Sequence, residues 1–496
     1  MSKICVSIGR GRHKHLLADH RFAVEQGADL CELRLDYVLR TVDLRRILDN
    51  RPGPIVLTIR RERDGGRWTG DEEARRMILR QAIVAGVEYV DLEEDVATAI
   101  PRYGKTKRII SFHDFNETPA DLDGLYARMA TRSPDIIKIA TKANTVEDVF
   151  RLWDLARRAT VPTIAIGMGE IGVPTRILAG KYGAPFTFAV LSAERTLAPG
   201  QLPLRTLREV YRYERITPET AVYGVIADPV GHSLSPVVHN AVFRHEGLAS
   251  VYVPFRIPTD DLFTFLRGAP GYDIRGLSVT IPHKERAVSF INGASAAVKG
   301  IGACNTVIYE SPEYAVGHNT DYRAAMEALG LHKGDAEEGN VLAGKTALLL
   351  GSGGVCRAIG YGLKKFGADV VVAGRDPTRR DILCQQLGCR GIAWSDRHDI
   401  ECDVLVNGTP MGMHPNVNET PYAEANLHPR MTVFDTVYNP EQTLLVKHAR
   451  TANCRVVTGV EMFIRQAQLQ YKYFTGHRPP GEVMATAFRD AISAAR

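Results

Sequence analysis

The sequence predicts an α/β protein in which an N-terminal (β/α)8 barrel precedes two further α/β domains. Stretches with helical periodicity, such as 71–86 and 145–160, alternate with short apolar runs bounded by turn residues, as in a closed parallel barrel. Further along, residues 346–358 read as a buried strand, a glycine turn and a helix start, which is typical of a Rossmann-like sheet. The eight runs predicted as barrel strands are Lys3 to Gly9, Ala28 to Asp36, Gly53 to Arg60, Tyr89 to Glu94, Lys107 to Asp114, Asp135 to Thr141, Pro162 to Gly169 and Pro185 to Leu191.

Chain length and one change of pattern set the predicted domain boundaries. With 496 residues, 45% of them hydrophobic and 24% charged, the chain has material for about three domains. The apolar pattern breaks between Leu207 and Thr220, and a new strand begins at Ala221. We therefore expect the barrel over 1–215, a second domain over 221–322 to which helices from about 460 to 496 return, and a Rossmann-like domain over 323–459.

Composition excludes several classes of protein. No apolar stretch is long enough to cross a bilayer, and the first ten residues predict a strand and no targeting segment. The net charge of +5 is spread along the chain, which favours small anionic ligands over nucleic acid. Eight cysteines without a Cys-x-x-Cys pair indicate free thiols, and His13, His15 and His20 have no carboxylate or thiolate at ligand spacing. We expect a cytoplasmic protein that binds small molecules, with no metal, nucleic-acid or membrane partner.

One lysine stands inside an apolar β-type run. Lys138 lies in Ile136-Ile137-Lys138-Ile139-Ala140, where a low dielectric would disfavour the ammonium and lower the pKa of the amine. A neutral amine can attack a ketone and form a Schiff base. Most strand lysines are edge residues with solvated tips, but here His113 and other polar residues, including Asp91 and Glu93, also end strands. Since such ends share one mouth of a barrel, the pattern predicts imine chemistry with a proton shuttle.

Motifs in the first 210 or so positions resemble type I 3-dehydroquinate dehydratases. The resemblance implies that Lys138 forms a Schiff base with the C3 ketone of the substrate and that His113 moves the protons that expel water. The matching motifs are Glu32-Leu33-Arg34-Leu35-Asp36, Thr58-Ile59-Arg60, Ser111-Phe112-His113-Asp114-Phe115, Lys138-Ile139-Ala140 and Ala198-Pro199-Gly200-Gln201. The positions matched to substrate carboxylate, hydroxyls or pocket are Glu32, Arg34, Arg60, Met168, Arg176 and Gln201.

Two positions depart from that family's pattern. The carboxylate before the Gly65-Gly66 pair, which assists the histidine in the family, is Asp64 here and glutamate in many relatives, so its reach is one methylene shorter. The residue before Ala198 is commonly serine and is Leu197 here. A hydroxyl contact with the substrate would then be missing unless Thr196 supplies it.

The second half contains a dinucleotide fingerprint. The glycines of Gly351-Ser352-Gly353-Gly354 follow an apolar strand and open a helix, so that backbone N–H groups can approach a pyrophosphate. The next strand ends about two dozen residues further on, where an acidic side chain would bind the 2′-hydroxyl of NAD, and Arg375 stands there with Arg379 and Arg380 behind it. A basic cluster would pair with a 2′-phosphate, so we predict NADP; the alternative is a solvated, arginine-rich helix start.

Residues 221–496 resemble shikimate dehydrogenases. The matching motifs are Val230 to Pro236, Ser278 to Lys284, Gly302 to Thr306, Gly317 to Asp321, Asn407 to Gly412, Asp435 to Tyr438 and Gly459 to Ala467. The resemblance implies that Lys284 and Asp321 form the catalytic pair that protonates the C3 oxygen as hydride arrives from NADPH. It implies substrate contacts from Ser233, Ser235, Thr280, Asn305, Tyr438 and Gln466, and nucleotide contacts from Thr409, Met411 and Gly459. Gly374 departs from the family, which often has asparagine before the arginine.

Together, the two resemblances imply a bifunctional enzyme of the shikimate pathway. It would dehydrate 3-dehydroquinate to 3-dehydroshikimate and reduce that product to shikimate with NADPH, without a metal. Two alternatives stay open: a second half that prefers quinate, and a metabolite-sensing regulator built from these domains. The presence of Lys138, His113, Lys284 and Asp321 favours an enzyme, because a regulator could discard them.

Overall fold

A computed structural model describes residues 2–49, 51–332 and 339–494. The chain divides into two compact units: residues through 224 together with 228–236 and 247–273 form the first, and 225–227, 237–246 and residues from 274 onward form the second. The predicted domain ranges also include residues 1, 50, 333–338, 495 and 496, which lie outside the described part of the chain. No helix in the described residues is long and apolar enough to span a membrane.

Strands and helices alternate through the first 215 residues, as the periodicity predicts. The strands are β1 (Lys3–Gly9), β2 (Leu30–Arg34), β3 (Ile55–Thr58), β4 (Tyr89–Glu93), β5 (Lys107–Asp114), β6 (Ile136–Lys142), β7 (Thr163–Met168), β8 (Phe186–Val190) and the short β9 (Leu202–Pro203). The helices are α1 (His13–Glu25), α2 (Leu44–Leu48), α3 (Glu72–Val84), α4 (Leu122–Ala130), α5 (Val146–Arg158) and α6 (Val173–Ile177).

Local chemistry explains where the longer helices begin. Thr145 and Asp148 form a capping box at the start of α5, and the Asp71 side chain accepts a hydrogen bond from the first turn of α3. These contacts satisfy N–H groups that have no partner inside a helix. The apolar side chains of the strands are buried, so the core lies inside the curled sheet and between the sheet and its helices.

The sheet of the first unit curls but is not a closed ring. Its order is β7-β6-β5-β4-β3-β2-β1-β8-β9, so among the described residues β7 ends the sheet and forms no ladder with β8. At this edge the N–H of Gly167 in β7 donates to Thr175 Oγ1 (2.9 Å), and Thr187 Oγ1 in β8 donates to the carbonyl of Arg176 (2.9 Å). The short helix α6 thus bonds to both strands at this edge, and its Thr175 accepts from a backbone N–H of the kind that strand pairing uses. The α/β class and the strand order are confirmed, and only complete closure is missing.

The remaining residues form further α/β structure. The strands are β10 (Ala221–Ala227), β11 (Ser250–Arg256), β12 (Ile274–Val279), β13 (Gly293–Ala294), β14 (Thr306–Ser311), β15 (Tyr314–His318), β16 (Thr346–Leu350), β17 (Asp369–Gly374), β18 (Arg390–Ala393), β19 (Val404–Asn407), β20 (Thr432–Asp435) and β21 (Arg455–Val457). The helices are α7 (Ser235–His245), α8 (Leu262–Gly268), α9 (Ala296–Ile301), α10 (Thr320–Ala328), α11 (Gly354–Lys365), α12 (Pro377–Leu387), α13 (Leu444–Thr451), α14 (Gly459–Thr475) and α15 (Gly481–Ala494).

The second unit contains a parallel sheet of the Rossmann type. Its order is β18-β17-β16-β19-β20-β21, with every neighbouring pair parallel. The order runs outward from β16 in both directions, so the carboxyl ends of β16 and β19 border the crevice where such sheets bind ligands. Strands β12, β14, β15 and β13 lie side by side in another sheet of this unit, and α14 packs on α10, β12 and β14.

Candidate active sites

One pocket lies at the mouth of the curled sheet, where carboxyl ends of its strands converge. It brings together every residue that the sequence predicted for the first site. The lining residues are Ser7, Glu32, Arg34, Arg60, Asp64, Gly65, His113, Phe115, Lys138, Ala140, Ile166, Met168, Arg176, Phe188, Leu197, Ala198 and Gln201.

Lys138 is buried, but its surroundings are not apolar. Its Nζ donates to Asp91 Oδ2 at 3.2 Å and lies 3.7 Å from Glu32 Oε1. The ring centroid of Phe188 is 4.1 Å away on another side. Two carboxylates this close make the surroundings of the amine polar, so the expected low-dielectric environment is incomplete. The amine therefore lies between two carboxylates and an aromatic ring.

His113 is suited to take protons. Burial, followed by the charges of Arg60 and Lys138, lowers the pKa of this imidazole well below its usual value, so the ring is neutral at pH 7. Its Nδ1 is buried and has no hydrogen-bond partner among the described residues. Because one nitrogen of a neutral imidazole is an acceptor, the ring can act as a general base in this pocket.

Arg176 differs from the other two arginines of the pocket. Arg34 binds Asp36 through two hydrogen bonds of 2.9 and 2.8 Å, and Arg60 binds Asp91 at 2.8 Å. Arg176 is 2% exposed, donates to the carbonyl of Pro199, and its Nε has no partner in the described chain. Burial lowers the pKa of Arg176 to about 10, which leaves it charged at neutral pH. A buried cation without a carboxylate fits the carboxylate of a ligand.

Asp64, the first of the two departures, lines the pocket but is held by an arginine. Its carboxylate accepts from Arg61 Nε at 2.6 Å, and Arg61 also binds Asp95. The structure gives no hydrogen bond between Asp64 and His113 in the residues it describes. Its assistance to the histidine therefore stays a prediction.

Leu197, the second departure, puts an apolar side chain into the pocket. Thr196 does not replace the missing hydroxyl, because its Oγ1 donates to the carbonyl of Ala193 at 2.6 Å. The side-chain oxygen of Gln201 accepts from the N–H groups of Leu197 and Ala198, at 2.8 and 3.0 Å. Gln201 thus shapes this loop with its carbonyl group, and its amide N–H groups are what it can offer to a ligand.

Lys284 and Asp321 form the predicted pair in the second unit. Lys284 Nζ donates to Asp321 Oδ2 at 2.6 Å, a charge-assisted hydrogen bond between partly buried groups. Asp321 lies in the first turn of α10, whose N-terminus favours a negative charge. The carbonyl of Lys284 accepts from the N–H of Cys304, which fixes the loop that carries the lysine.

Asn305 is fixed by a polar network. Its side chain donates to Thr320 Oγ1 at 2.9 Å and accepts from the N–H of Thr320 and from Thr306 Oγ1, both at 2.8 Å. Gln470 on α14 donates to the carbonyl of Asn305 and to Thr306 Oγ1 and accepts from Ser278 Oγ. Sequence reasoning missed Gln470. Its signal is weak, since it is one helical turn after the predicted Gln466.

Five other predicted substrate contacts occupy separate places along the chain. Tyr438 packs against Phe463 and Phe488, and burial raises the pKa of its hydroxyl. Gln466 lies half-buried on α14 and Thr280 follows β12. The remaining two are Ser233 and Ser235, which belong to the first unit at the start of α7, where the N–H of Ser235 donates to Ser233 Oγ at 3.3 Å.

The glycine loop fits a pyrophosphate. Gly351 has φ +111°, which disfavours residues with a Cβ, and a Cβ at Gly353 or Gly354 would meet no atom within 4 Å. Among the described residues no side chain caps the N-terminus of α11 at Gly353, so a capping side chain does not occupy the position that a phosphate would take. Ser352 lies within the same loop, at the carboxyl end of β16.

Two of the three arginines that follow β17 and are predicted to lie near the nucleotide face solvent. Arg375 and Arg379 are exposed at the start of α12, whereas Arg380 donates to Asp381 and to the carbonyl of Ile392. A Cβ at Gly374 would lie 3.0 Å from the Cβ of Arg380, so glycine at this position lets α12 approach the strand closely. Arg375 and Arg379 are therefore the groups that can meet a 2′-phosphate.

A buried amide and carboxylate organise the loop after β19. The side-chain oxygen of Asn407 accepts from the N–H and hydroxyl of Thr409, at 3.0 and 2.7 Å, and its nitrogen donates to the carbonyl of Met411 and to Asp435. Burial raises the pKa of Asp435 to about 6 despite its hydrogen bonds. Gly459 is constrained too, because a Cβ there would lie 2.4 Å from the carbonyl oxygen of Val437. These contacts place Thr409, Met411 and Gly459 near strand ends of the Rossmann-type sheet.

A lysine pocket in a curled β/α sheet and a Lys–Asp pair beside a Rossmann-type sheet define a two-part α/β enzyme. Three family models match the chain: type I 3-dehydroquinase at residues 4–218, the shikimate dehydrogenase substrate binding domain at 225–307, and the shikimate 5′-dehydrogenase C-terminal domain at 459–487.

Relatives with assigned names agree with these models. The bifunctional 3-dehydroquinate dehydratase/shikimate dehydrogenase of Arabidopsis thaliana, named as chloroplastic, is 38% identical over 97% of this chain and 83% of that protein. An NADP(+) shikimate dehydrogenase of Methanosarcina mazei is 35% identical over 55% of this chain and 99% of its own length. A shikimate dehydrogenase solved with NADP+ superposes with a TM-score of 0.51 at 32% identity, over 56% of this chain and 97% of that chain. The chain belongs to the bifunctional 3-dehydroquinate dehydratase/shikimate dehydrogenase family, and the resemblance read from its motifs is confirmed.

Proposed function

We propose that the two sites of this chain catalyse successive steps, from 3-dehydroquinate to 3-dehydroshikimate and from there to shikimate with NADPH. The observation that carries the proposal is that each unit holds a lysine in the setting its reaction needs. Lys138 faces a pocket with a neutral histidine and an arginine that has no carboxylate partner among the described residues, and Lys284 is paired with Asp321. The substrates are small anions, in line with the cationic groups of the first pocket.

In the first site Lys138 acts as the nucleophile. Its neutral amine attacks the ketone carbon. The carbonyl oxygen takes one proton from that amine and one that His113 delivers from solvent, it leaves as water, and a protonated imine forms. The imine withdraws electrons and so acidifies the neighbouring carbon. His113 removes a proton from that carbon and then protonates the hydroxyl that leaves from the next one. Water is expelled, a double bond forms, and hydrolysis of the imine restores the lysine.

Arg176 orients the substrate for this elimination. Its guanidinium is buried without a carboxylate partner in the described residues, and a planar fork binds both oxygens of a carboxylate. Arg34 and Arg60 already bind carboxylates of the protein, so hydroxyl groups of the substrate are the better partners for their remaining N–H groups. Glu32, which accepts from Ser7 and Thr58, completes the polar wall.

In the second site Lys284 supplies the proton. As the carbonyl carbon is reduced, charge grows on its oxygen, and an ammonium held by Asp321 can neutralise that charge. NADPH, when bound at the glycine loop, supplies the hydride. Hydride and proton together convert the ketone to the alcohol. Asn305, held by Thr320 and Gln470, presents a preorganised amide to the substrate hydroxyls.

Arg375 is proposed to select NADPH over NADH. A charge-assisted bond to the 2′-phosphate contributes about 1.5–3 kcal/mol, so Arg375→Ala should raise KM for NADPH by roughly tenfold to a hundredfold and leave KM for NADH nearly unchanged. Arg380→Ala is the matched control, since this neighbouring arginine is already engaged by Asp381 and Ile392. Steady-state kinetics with both nucleotides measure the effect. Equal losses for the two nucleotides would show a structural arginine.

Quinate as the preferred alcohol of the second site is the remaining alternative within enzymes. Ser233 and Ser235 favour shikimate in our interpretation, and steady-state rates with both alcohols decide the preference. Absence of metal from both reactions and location in the cytoplasm remain our predictions for this chain. The described residues hold no group of three or more metal-ligating side chains.

The proposal is tested on one purified chain. It should convert 3-dehydroquinate to the conjugated enone without nucleotide, at an undiminished rate in EDTA, and it should oxidise NADPH when 3-dehydroshikimate is added. A chain that binds these compounds but turns over neither of them would be a sensor, and the proposal would be wrong.

A further inference from the structure

Asp91 is the residue that most directly surrounds Lys138. It is 1% exposed on β4, and three side chains contact its carboxylate, from β5, from β6 and from the segment after β3. Oδ2 accepts from Lys138 Nζ at 3.2 Å, while Oδ1 accepts from Ser111 Oγ at 2.5 Å and lies 2.8 Å from Arg60 Nη2. Arg60 and Ser111 are themselves hydrogen-bonded at 2.9 Å. The carboxylate is thus fixed from both sides, with one oxygen directed at the amine.

We propose that Asp91 is a positioning residue for Lys138, which orients the amine before attack and then serves as the counter-ion of the protonated imine. This proposal rests on the Schiff-base function given above. A protonated imine keeps a positive charge on the lysine nitrogen. The ion pair between Lys138 and Asp91 that exists before substrate binds can therefore form again with the imine. A buried charge of this kind is costly unless an opposite charge accompanies it.

The surroundings of Asp91 argue against a second role as the proton acceptor. Burial alone would raise the pKa of Asp91, but Arg60 and Lys138 outweigh burial and lower it far below its usual range. A carboxylate that holds its charge this firmly is a weak base. His113, which is neutral, is the base that remains in the pocket. Asp91 therefore stays ionised while the proton from the substrate carbon moves to His113.

A chain of alternating charges holds Asp91 in place. Arg60 joins Asp91 to Glu93 at 3.2 Å, and Glu93 binds the fully buried Arg75 at 2.9 Å, which in turn binds Glu72 on α3. The chain runs from the reactive lysine to the outside of the sheet. Glu93 offers a matched control, because it sits two residues from Asp91 on β4, and its ion pairs in the described structure are with Arg60 and Arg75, not with Lys138.

The test compares the parent enzyme with Asp91→Asn and Glu93→Gln. In the pH profile of kcat, the fall in rate at high pH, called the alkaline limb, reports loss of the proton from the imine. A neighbouring carboxylate raises that pKa by about 1–3 units, so D91N should move the limb to lower pH by about one unit or more and cut kcat at pH 8 at least about tenfold. Glu32, 3.7 Å from Nζ, remains and limits the shift. E93Q should raise KM through Arg60 and leave the limb in place.

Borohydride trapping separates failure of this proposal from failure of the proposed function. If the parent chain with 3-dehydroquinate yields no reduced adduct on Lys138, the Schiff-base function fails. If the parent yields the adduct but D91N leaves the limb unmoved, or E93Q moves it equally, only the role of Asp91 is refuted. Should D91N not fold, Asp91→Glu keeps the charge and must keep the limb while kcat falls; a shifted limb in D91E would overturn the proposal.

Discussion

Lys138→Ala should abolish dehydration of 3-dehydroquinate, with kcat reduced by about 10⁴-fold or more, because no other amine lines the pocket described above. The parent enzyme treated with borohydride and 3-dehydroquinate should lose activity and carry a stable adduct on Lys138. The variant should resist this inactivation and form no adduct. Peptide mass analysis of the trapped protein locates the label.

Lys142→Ala is the matched control for that experiment. Lys142 ends the same strand, β6, but does not line the pocket. Its loss should leave turnover and trapping close to those of the parent. An adduct on another lysine, or inactivation by EDTA without any adduct, would contradict the imine mechanism.

Lys284→Ala should reduce kcat for dehydroshikimate reduction by about 10²–10⁴-fold and change KM far less, because the lysine acts on charge that develops in the transition state. Dehydration should continue at nearly the parental rate, since Lys138 and Lys284 belong to different compact units. The variant should therefore release dehydroshikimate into solution. Both reactions are measured on the same preparation.

Lys299→Ala serves as the control in the second unit, since this lysine is exposed on α9. It should alter neither reaction. Unchanged reduction by Lys284→Ala would remove that lysine from the mechanism. Loss of dehydration in a folded Lys284→Ala protein would disprove the independence of the sites.

Sequence alone was sufficient to locate the strands that carry Lys138 and His113. The run around Lys138 is β6, and the run ending at His113 and Asp114 is β5, with boundaries matching to within about one residue. Parallel barrel strands place their carboxyl ends together, so the meeting of Lys138 and His113 followed from the topology. The fold class was accessible from the same alternation of strands and helices, and the family was accessible from its motifs.

The electrostatics of the pocket could not be predicted from sequence. Asp91 is 47 positions from Lys138, and their ion pair depends on which face of β4 meets the lysine and on the side-chain rotamers. The apolar neighbours of Lys138 suggested low dielectric, whereas the facing strands supply two carboxylates. Likewise, β7 and β8 do not pair, and at this edge the N–H of Gly167 donates to the hydroxyl of Thr175, a contact that no periodicity reveals.

Mixing two inactivated variants tests most directly whether one chain carries two separate active sites. Lys138→Ala alone should consume no NADPH with 3-dehydroquinate, and Lys284→Ala alone should accumulate dehydroshikimate. When both proteins are combined with 3-dehydroquinate and NADPH, shikimate should form, because the intermediate released by one variant is reduced by the other. If each variant is folded and retains its own half-reaction, yet the mixture produces no shikimate, the assignment of the two steps to these two sites is contradicted.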